Sequence, residues 1–332
     1  MQSHTQHAGT IPIIYQDHHL LIVNKPAGLV IHPTYKHADD TMWDALLADL
    51  AQQATDDWQP PDLPDDPRWA RAPAEVRQLL REKRLVKLWA EEGLLERPAL
   101  LHRLDKDTSG IVALARTARA CSHVVRQFAA HTIVKTYLAV ARRATPAWTQ
   151  PRAPFTATLC QAGGSTEVLT WPLDLSCYLN RTLVLDGPLQ RDPDERRRCI
   201  VGPDGQVATT QINVLARTND FFLLEVRPVT GRTHQIRAHL AAAGYALVGD
   251  VTYAPEPEEG TPQAALSRQF LHASSLMFRD YPANNLRLFI APVPPDLAGW
   301  LTQYFPTGMD LIDARTTRSG LSDEYRSSRQ PE

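Results

Sequence analysis

The sequence predicts an α+β fold with a mainly antiparallel or mixed central β-sheet, flanked by helices and loops. Three observations support this prediction. Strand-like stretches outnumber helical ones, they seldom alternate with them, and several are joined by short turn sequences. The composition, with 43% hydrophobic and 22% charged residues, is that of a folded globular protein. We therefore expect a β-rich packed domain and not a doubly wound parallel sheet.

The first strand-like stretches lie in IPIIYQDHHLLIVNKPAGLVIHP, which begins at Ile11. This segment predicts two short strands around a turn at residues 17–19, followed by a Lys-Pro-Ala-Gly corner. Residues 1–10 are expected to form a disordered N-terminus. Residues 39–96 differ in composition, because a Pro/Asp-rich cluster precedes a charged stretch with helical periodicity. We interpret them as a surface insertion that is helical at its end.

The pattern becomes regular from Pro98 onwards. The stretches ALL and IVALA are predicted strands around the polar loop HRLDKDTSG, and HTIVKTYLAVARR is a further strand. Between them, Thr117 is a plausible N-cap for a helix through Ala130, with an apolar side formed by Cys121, Val124, Val125 and Phe128.

The second half of the chain is predicted to begin with a loop at residues 180–205, which carries a local basic run. QVATTQINVLART and FFLLEVRPV are predicted strands around a turn at residues 219–220. GRTHQIRAHLAAAG is a predicted helix that ends at Gly244. We expect one catalytic domain over residues 11–310 and a disordered polar tail over residues 311–332.

Charge and composition exclude several classes of protein. The formal net charge of −2 excludes a globally basic nucleic-acid coat, although a local basic patch could still bind nucleic acid. The sequence has no apolar run of 18 residues and no signal-peptide pattern, so we expect no membrane association. The four cysteines form no CxxC pair, which argues against a zinc knuckle or a disulfide framework. A reducing cytoplasm is the expected location.

The loop HRLDKDTSG carries the densest chemical signal. Between residues 97 and 143 there are nine Lys and Arg but only two acidic residues, Asp105 and Asp107. Because nearby cations favour the ionised form of a carboxyl group, Asp105 suits the role of a nucleophile or an electrostatic stabiliser. A simpler interpretation is that Asp105 caps the turn and pairs with Arg103 or Lys106. The Thr108-Ser109-Gly110 turn should keep the loop rigid.

The strand VKTYLAV places Lys135 and Tyr137 on one face, together with Ala139. A tyrosine beside a lysine could form a platform on which a nucleobase stacks. The alternative is an ordinary amphipathic strand whose lysine extends to solvent.

The stretch GRTHQIRAHL predicts a helix that would place Arg232, His234 and Gln235 near its positive end, where phosphate groups bind. Arg237 would lie beside the apolar stripe of this helix, and a buried arginine needs a carboxylate partner. A metal site formed by His234 and His239 is not expected, because a spacing of five residues does not align two imidazoles on one helix face.

Taken together and in this order, HRLDKDTSG, KTYLAV and GRTHQIRAHL resemble the RluA-type pseudouridine synthases. The segments LLIVNKPAGLVIHP, ALVGDVTY and LHASSLMF resemble the same family, so the similarity extends over roughly residues 11 to 295. Two features depart from the family pattern. About ten residues precede the first strand, so we do not expect the small RNA-binding module of many relatives, and the insertion at residues 39–96 is unusually long.

The resemblance implies a pseudouridine synthase fold with a catalytic cleft, and a reaction that detaches a uridine base from C1′ and reattaches it through C5. As an isomerisation, this reaction needs no cofactor and no metal. By the family's motifs, Asp105 is the catalytic carboxylate, Tyr137 stacks on the base and Arg237 is the buried partner of Asp105. Whether Asp105 attacks C1′, attacks the ring or assists a glycal route stays open. Lys135 would pack against Tyr137, and Arg103 would fill the gap left by the flipped-out base.

The remaining implied substrate contacts are Thr108, Arg232, His234 and Gln235. The expected partner is structured RNA, either ribosomal RNA of the large subunit, transfer RNA or both, and the expected state is a monomer. Two other functions stay open. One is a non-catalytic RNA-binding or ribosome-assembly protein that retains the fold. The other is a hydrolase that uses Asp105 and Asp107, although two carboxylates on one loop are poorly placed to flank a glycosidic bond.

Overall fold

The structure is a computed structural model of the 332-residue chain. It describes residues 11–31, 41–52, 72–74, 76–78, 80, 95, 98–144, 147–161, 165–255 and 259–312. These residues group into two compact units. The first unit comprises described residues up to 106, with residues 110–133 and 277–291. The second unit comprises residues 107–109 and 134–276, with the described residues from 292 onwards.

The strands and α-helices are numbered in chain order. The strands are β1 (Ile13–Gln16), β2 (Leu20–Lys25), β3 (Ala99–Leu100), β4 (Ser109–Ala115), β5 (Val134–Arg143), β6 (Thr156–Cys160), β7 (Thr166–Val168), β8 (Thr182–Asp186), β9 (Leu189–Arg191), β10 (Cys199–Val201), β11 (Thr209–Arg217), β12 (Phe221–Pro228), β13 (Tyr245–Leu247), β14 (Leu271–Arg279) and β15 (Leu286–Ile290). The α-helices are α1 (Met42–Gln52), α2 (Ala118–Ala129), α3 (Gln235–Ala242) and α4 (Pro295–Tyr304).

The first unit is built on the antiparallel strands β1, β2 and β4, with β3 beside β4. Strands β2 and β4 are almost completely buried, as expected for strands rich in Val, Ile, Leu and Ala. Helix α2 begins as predicted, because the Thr117 hydroxyl accepts a hydrogen bond from the backbone N–H of Ala120 at 3.4 Å. Its apolar side is narrower than predicted, since Val124 is buried whereas Val125 is 44% exposed.

The second unit contains a longer antiparallel run of strands in the order β5, β12, β11, β8, β6 and β7, and β13 also pairs with β5. Period-two alternation sends the side chains of β5 into two cores. Tyr137 and Ala139 pack in a cluster that includes Ile236 and Leu240 of α3. Leu138 lies in the other cluster, which includes residues of α4. The sheet of this unit is therefore covered by α3 on one face and by α4 on the other.

The predicted α+β class is confirmed, but residues 180–205 are not the predicted loop. They contain β8 and the hairpin of β9 and β10. In β8, Leu183 and Leu185 are fully buried while the residues beside them are partly exposed, which is the alternation of a half-buried strand. The basic run occupies the hairpin loop between β9 and β10, where Arg196 and Arg197 are exposed, whereas Arg198 is partly buried and pairs with the fully buried Asp192.

The segment that we interpreted as a surface insertion contributes to the core where it begins. Thr41 and Met42 are fully buried, and Leu46 is nearly so. The Thr41 hydroxyl donates to the Asp44 carboxylate at 2.5 Å and accepts from the Asp44 backbone N–H, which caps α1. Most of the predicted helical end of the insertion, the first ten residues and residues 313–332 lie outside the described residues.

Candidate functional site

The loop that carries Asp105 is supported in the first unit by the Lys-Pro-Ala-Gly corner. The backbone carbonyl of Lys106, the residue after Asp105, accepts hydrogen bonds from the Gly28 N–H at 3.0 Å and from Lys25 Nζ at 2.7 Å. Lys25 is fully buried, and its ammonium group also donates to the Pro26 carbonyl at 2.8 Å. Gly28 has a φ of +83°, which glycine adopts without strain. The corner therefore fixes the main chain next to Asp105.

The remainder of the same loop belongs to the second unit, where side chains of the segment before and within β14 hold it. Ser109 is buried, and its hydroxyl lies 3.0 Å from Nδ1 of the fully buried His272. Thr108 is also buried and accepts a hydrogen bond from the Gln269 amide at 3.2 Å. These contacts support a role for Thr108 in loop geometry, and its implied contact with RNA stays a prediction.

Strand β5 brings Lys135 to the beginning of the GRTHQIR segment. Lys135 Nζ donates a hydrogen bond to the Thr230 carbonyl at 2.6 Å, beside Gly231. Burial lowers the pKa of Lys135 to about 8, because the low-dielectric surroundings disfavour the ammonium form. Tyr137, two residues along the same strand face, is partly buried against the core. The KTYLAV and GRTHQIR segments therefore meet within the second unit.

Helix α3 begins later than the sequence predicts. Its first residue is Gln235, because His234 adopts the left-handed conformation with a φ of +54°. Arg232 consequently lies outside the helix, where it is exposed and donates from Nε to the Val207 carbonyl at 3.1 Å. The helix end that was predicted to bind phosphate therefore does not contain Arg232, and a contact of Arg232 with phosphate stays a prediction. Arg232 remains accessible to a polyanion, as does the exposed Arg103 of the first unit.

Arg237 is 6% exposed, and its carboxylate partner in the second unit is Asp250. The guanidinium donates from Nε to Asp250 Oδ2 at 2.7 Å and from Nη2 to Asp250 Oδ1 at 2.8 Å. This bidentate geometry is the strong form of an arginine–carboxylate pair. The Asp250 carboxylate also accepts from the backbone N–H groups of Thr252 and Tyr253. Asp250 is therefore the carboxylate partner that a buried arginine needs. The burial of Arg237 does not by itself indicate a pairing with Asp105.

A network of neutral hydrogen bonds surrounds α3. The Gln235 amide group donates to the Thr209 carbonyl at 2.8 Å and to the Thr210 hydroxyl at 3.0 Å. Its oxygen accepts from the Thr230 hydroxyl at 2.6 Å. His239 Nε2 lies 3.0 Å from the Gly187 carbonyl, which can only accept, so Nε2 carries the proton and Nδ1 accepts from Thr210 at 2.9 Å. Gln235 is therefore engaged by the protein, and its implied contact with RNA stays a prediction.

Aromatic and basic side chains surround the Arg237–Asp250 pair. Tyr253 is buried below the guanidinium of Arg237, with Cζ 5.0 Å from the ring centroid, and its hydroxyl lies 3.3 Å from His234 Nδ1. Trp148 packs near Tyr253, and the guanidinium of Arg198 stacks on Trp148 at 3.8 Å. Arg198 belongs to the basic run on the β9–β10 hairpin. The second unit thus groups two aromatic rings and two guanidinium groups in one region, where Tyr253 and Arg237 are buried whereas Trp148 and Arg198 are partly exposed.

The residues predicted for the site are divided between the two units. Asp105 and Arg103 belong to the first, whereas Tyr137, Lys135 and Arg237 belong to the second. The implied pairing of Asp105 with Arg237 stays a prediction.

Sequence reasoning missed four residues of the site, namely Lys25, Asp250, Tyr253 and Arg268. Lys25, Asp250 and Tyr253 lie in NKPAG and ALVGDVTY, which were recognised only as stretches that resemble the family, whereas Arg268 lies just before LHASSLMF and outside every recognised stretch.

Over the described part of the chain, no three His, Cys, Asp or Glu side chains are grouped so that they could hold a metal ion. Within the same residues, no helix has both the length and the apolar character that crossing a bilayer requires.

Comparison with known proteins provides the family context. The family described as RNA pseudouridylate synthase matches residues 19–242. An uncharacterized RNA pseudouridine synthase of Chloroflexus aurantiacus is 34% identical over 274 residues, which cover 82% of this chain and 63% of that protein. Ribosomal large subunit pseudouridine synthase D of Nitrosomonas europaea is 29% identical over 303 residues, which cover 90% of this chain and 67% of that protein. The chain thus spans slightly less than two thirds of the Chloroflexus protein.

The fold itself is supported by a solved structure. The human RNA pseudouridylate synthase domain containing 1 aligns with 88% of this chain and 87% of its own, at a TM-score of 0.51 and 19% identity. This likeness is evidence for the fold alone.

Proposed function

The chain belongs to the RNA pseudouridylate synthase family, and we propose that it converts uridine to pseudouridine in large-subunit ribosomal RNA. The observation that carries this proposal is the family match over residues 19–242, which contains the HRLDKDTSG, KTYLAV and GRTHQIR segments. The choice of ribosomal RNA rests on relatives whose names specify the ribosomal large subunit.

In this reaction the N1–C1′ bond of the uridine breaks and a C5–C1′ bond forms. The proton on C5 is lost and N1 gains one, so the reaction is balanced without an external cofactor. The target base must leave the helical stack, which costs a few kcal/mol. The exposed Arg103 is suited to occupy the vacated position, because a planar guanidinium stacks on neighbouring bases.

We assign the catalytic carboxylate to Asp105, and its surroundings support that role. The backbone on both sides of the loop is held by buried donors, namely Lys25 for the Lys106 carbonyl and Arg268 for the Asp107 carbonyl. A nucleophile on a fixed loop retains its alignment with the substrate, which is the main requirement for a positioned attack. We assign base stacking to Tyr137 and electrostatic support to Arg237.

Release of tritium from RNA labelled at C5 of uridine tests the proposal. The wild-type protein should release tritium from unmodified large-subunit ribosomal RNA, and Asp105→Asn should abolish release while RNA affinity stays within about twofold. Asp107→Asn is the matched control, because it removes the other acid of the same loop and leaves the contact of its carbonyl unchanged. Equal loss in both variants would contradict the assignment of Asp105.

Two further arms of this assay separate the alternatives. Unmodified transfer RNA is the comparison substrate, and faster release from it would overturn the choice of ribosomal RNA. Binding of RNA without any tritium release by the wild-type protein would favour a non-catalytic ribosome-assembly role. We further propose that the protein acts as a monomer in the cytoplasm, where ribosomal RNA is assembled into ribosomes. Analytical ultracentrifugation and cell fractionation test these two points.

A further inference from the structure

Three consecutive residues of the HRLDKDTSG loop are held by one short segment of the second unit. The Arg268 guanidinium donates to the Asp107 carbonyl at 3.1 Å, the Gln269 amide donates to the Thr108 hydroxyl at 3.2 Å, and His272 hydrogen-bonds Ser109. A single hydrogen bond could be incidental to packing. Three hydrogen bonds to successive residues fix the position of the chain over the stretch that lies two to four residues after Asp105.

Arg268 is the charged member of this group, and its own orientation is fixed. It is 8% exposed, and it forms a bidentate pair with Asp296 near the start of α4, with distances of 2.7 Å from Nε and 3.1 Å from Nη2. The third guanidinium nitrogen is therefore the one that points at the Asp107 carbonyl. Because the edge formed by Nε and Nη2 is held by Asp296, the plane of the guanidinium is oriented, and Nη1 is directed at the Asp107 carbonyl.

The backbone of the same segment contacts the turn that carries the partner of Arg237. The Phe270 N–H donates to the Val248 carbonyl at 2.7 Å. Gly249 has a φ of +73°, and a Cβ atom built on it would lie 2.0 Å from the Arg268 carbonyl oxygen. The backbone of this turn therefore lies directly against Arg268, and Asp250 is the next residue along the chain.

We propose that Arg268 is a positioning residue for the reaction, which acts through the main chain of Asp107 and through the turn at residues 248–250. Its side chain orients the loop that presents Asp105, and its carbonyl packs against the turn that presents Asp250 to Arg237. This role rests on the proposed function. It adds to that function a residue that touches neither the RNA nor the reacting atoms.

The test compares Arg268→Lys with Asp296→Asn. A lysine keeps the charge but cannot bind both oxygens of Asp296 and the Asp107 carbonyl together. We expect the single-turnover rate at saturating RNA to fall by on the order of a hundredfold, because a displacement of about 1 Å at a reacting group has that effect. The Kd for RNA should stay within about twofold. Asp296→Asn keeps the Arg268 side chain but removes the charged partner that orients it. The single-turnover rate of this variant should therefore also fall, by about tenfold.

Arg287→Lys is the matched control. Arg287 is a partly buried arginine that donates to the Tyr15 hydroxyl at 2.7 Å and pairs with Asp280 at 3.5 Å, all within the first unit. This variant should lower the melting temperature without changing the single-turnover rate at saturating RNA. If Arg268→Lys does not fold, the rate of Asp296→Asn alone tests the role of Arg268. Asp296 is half exposed, so the protein should fold with asparagine at this position.

The possible outcomes are distinguishable. A wild-type protein that releases no tritium refutes the proposed function, whatever the variants do. A wild-type protein that is active, with rates in Arg268→Lys and Asp296→Asn no lower than in Arg287→Lys, overturns the role of Arg268. A loss of activity that is explained entirely by a higher Kd for RNA would also overturn it, because a positioning residue changes the rate at saturation.

Discussion

Replacing Arg237 with methionine should separate the structural and catalytic roles of the buried pair with Asp250. In Arg237→Met the Asp250 carboxylate loses two charge-assisted hydrogen bonds but keeps those from the Thr252 and Tyr253 N–H groups. Removal of one partner of a buried ion pair costs about 3–5 kcal/mol. Because two backbone donors remain, we expect the lower end, about 3 kcal/mol of unfolding free energy.

The double variant Arg237→Met with Asp250→Asn makes this prediction quantitative. Asparagine keeps an oxygen for the two backbone donors but removes the charge that is stranded in Arg237→Met. The combined loss should be smaller than the sum of the single losses by at least about 2 kcal/mol, because directly contacting residues are strongly coupled. Urea titration followed by tryptophan fluorescence is the appropriate measurement, since Trp148 lies 6.2 Å from the ring of Tyr253, which is stacked below Arg237.

Activity measured on the same variants decides what Arg237 does. If Arg237 acts in the reaction, the double variant recovers stability but no tritium release. A double variant that regains both would show that the arginine serves folding alone. If Arg237→Met loses less than about 1 kcal/mol of unfolding free energy, the Asp250 carboxylate is not left as an uncompensated buried charge, and the reasoning is contradicted.

Two further predictions concern stability. Burial lowers the pKa of His239 to about 4 from its ordinary value of 6.5, so the unfolded chain binds one more proton between these pH values and stability falls as pH falls through that window. The loss of unfolding free energy should reach about 3 kcal/mol near pH 4 and should be much smaller in His239→Gln. Urea titration of both proteins at pH 7 and pH 4.5 measures this loss, and equal acid sensitivity of the two would count against the prediction. Gly249→Ala should destabilise the protein by at least about 2 kcal/mol, because a Cβ would meet the Arg268 carbonyl oxygen at 2.0 Å and the φ of this residue is positive. The melting temperature measures this effect, and a value like that of the wild type would show that the turn can move away.

The strands that carry the site could be predicted from the sequence because local alternation determines them. Strands β2, β4, β5, β11 and β12 and the capped helix α2 all lie where the pattern places them. Strand β8 was missed because the charged stretch after it dominates the composition of residues 180–205. The alternation in TLVLD is as clear as elsewhere, so a shorter window would have found this strand.

The partners of the site residues could not be predicted, since they depend on tertiary contacts. The start of α3 depends on the left-handed conformation of His234. Histidine adopts this conformation more often than most residues, but in too few cases for the sequence alone to predict it. Burial of Arg237 was foreseen, and a carboxylate was required, but spacing along the chain does not distinguish Asp250 from other acids. The support of the Asp105 loop by Lys25 and Arg268 connects residues far apart in sequence, so only the folded chain reveals it.

The neutral network around α3 has a consequence for how this protein can change by substitution. The hydroxyls of Thr210 and Thr230 each donate one hydrogen bond and accept another, so the orientation of the Gln235 amide and the tautomer of His239 are determined together. A lone Thr210→Val change would strand a ring nitrogen and an amide hydrogen at once. These four positions should therefore vary among viable sequences only in matched combinations.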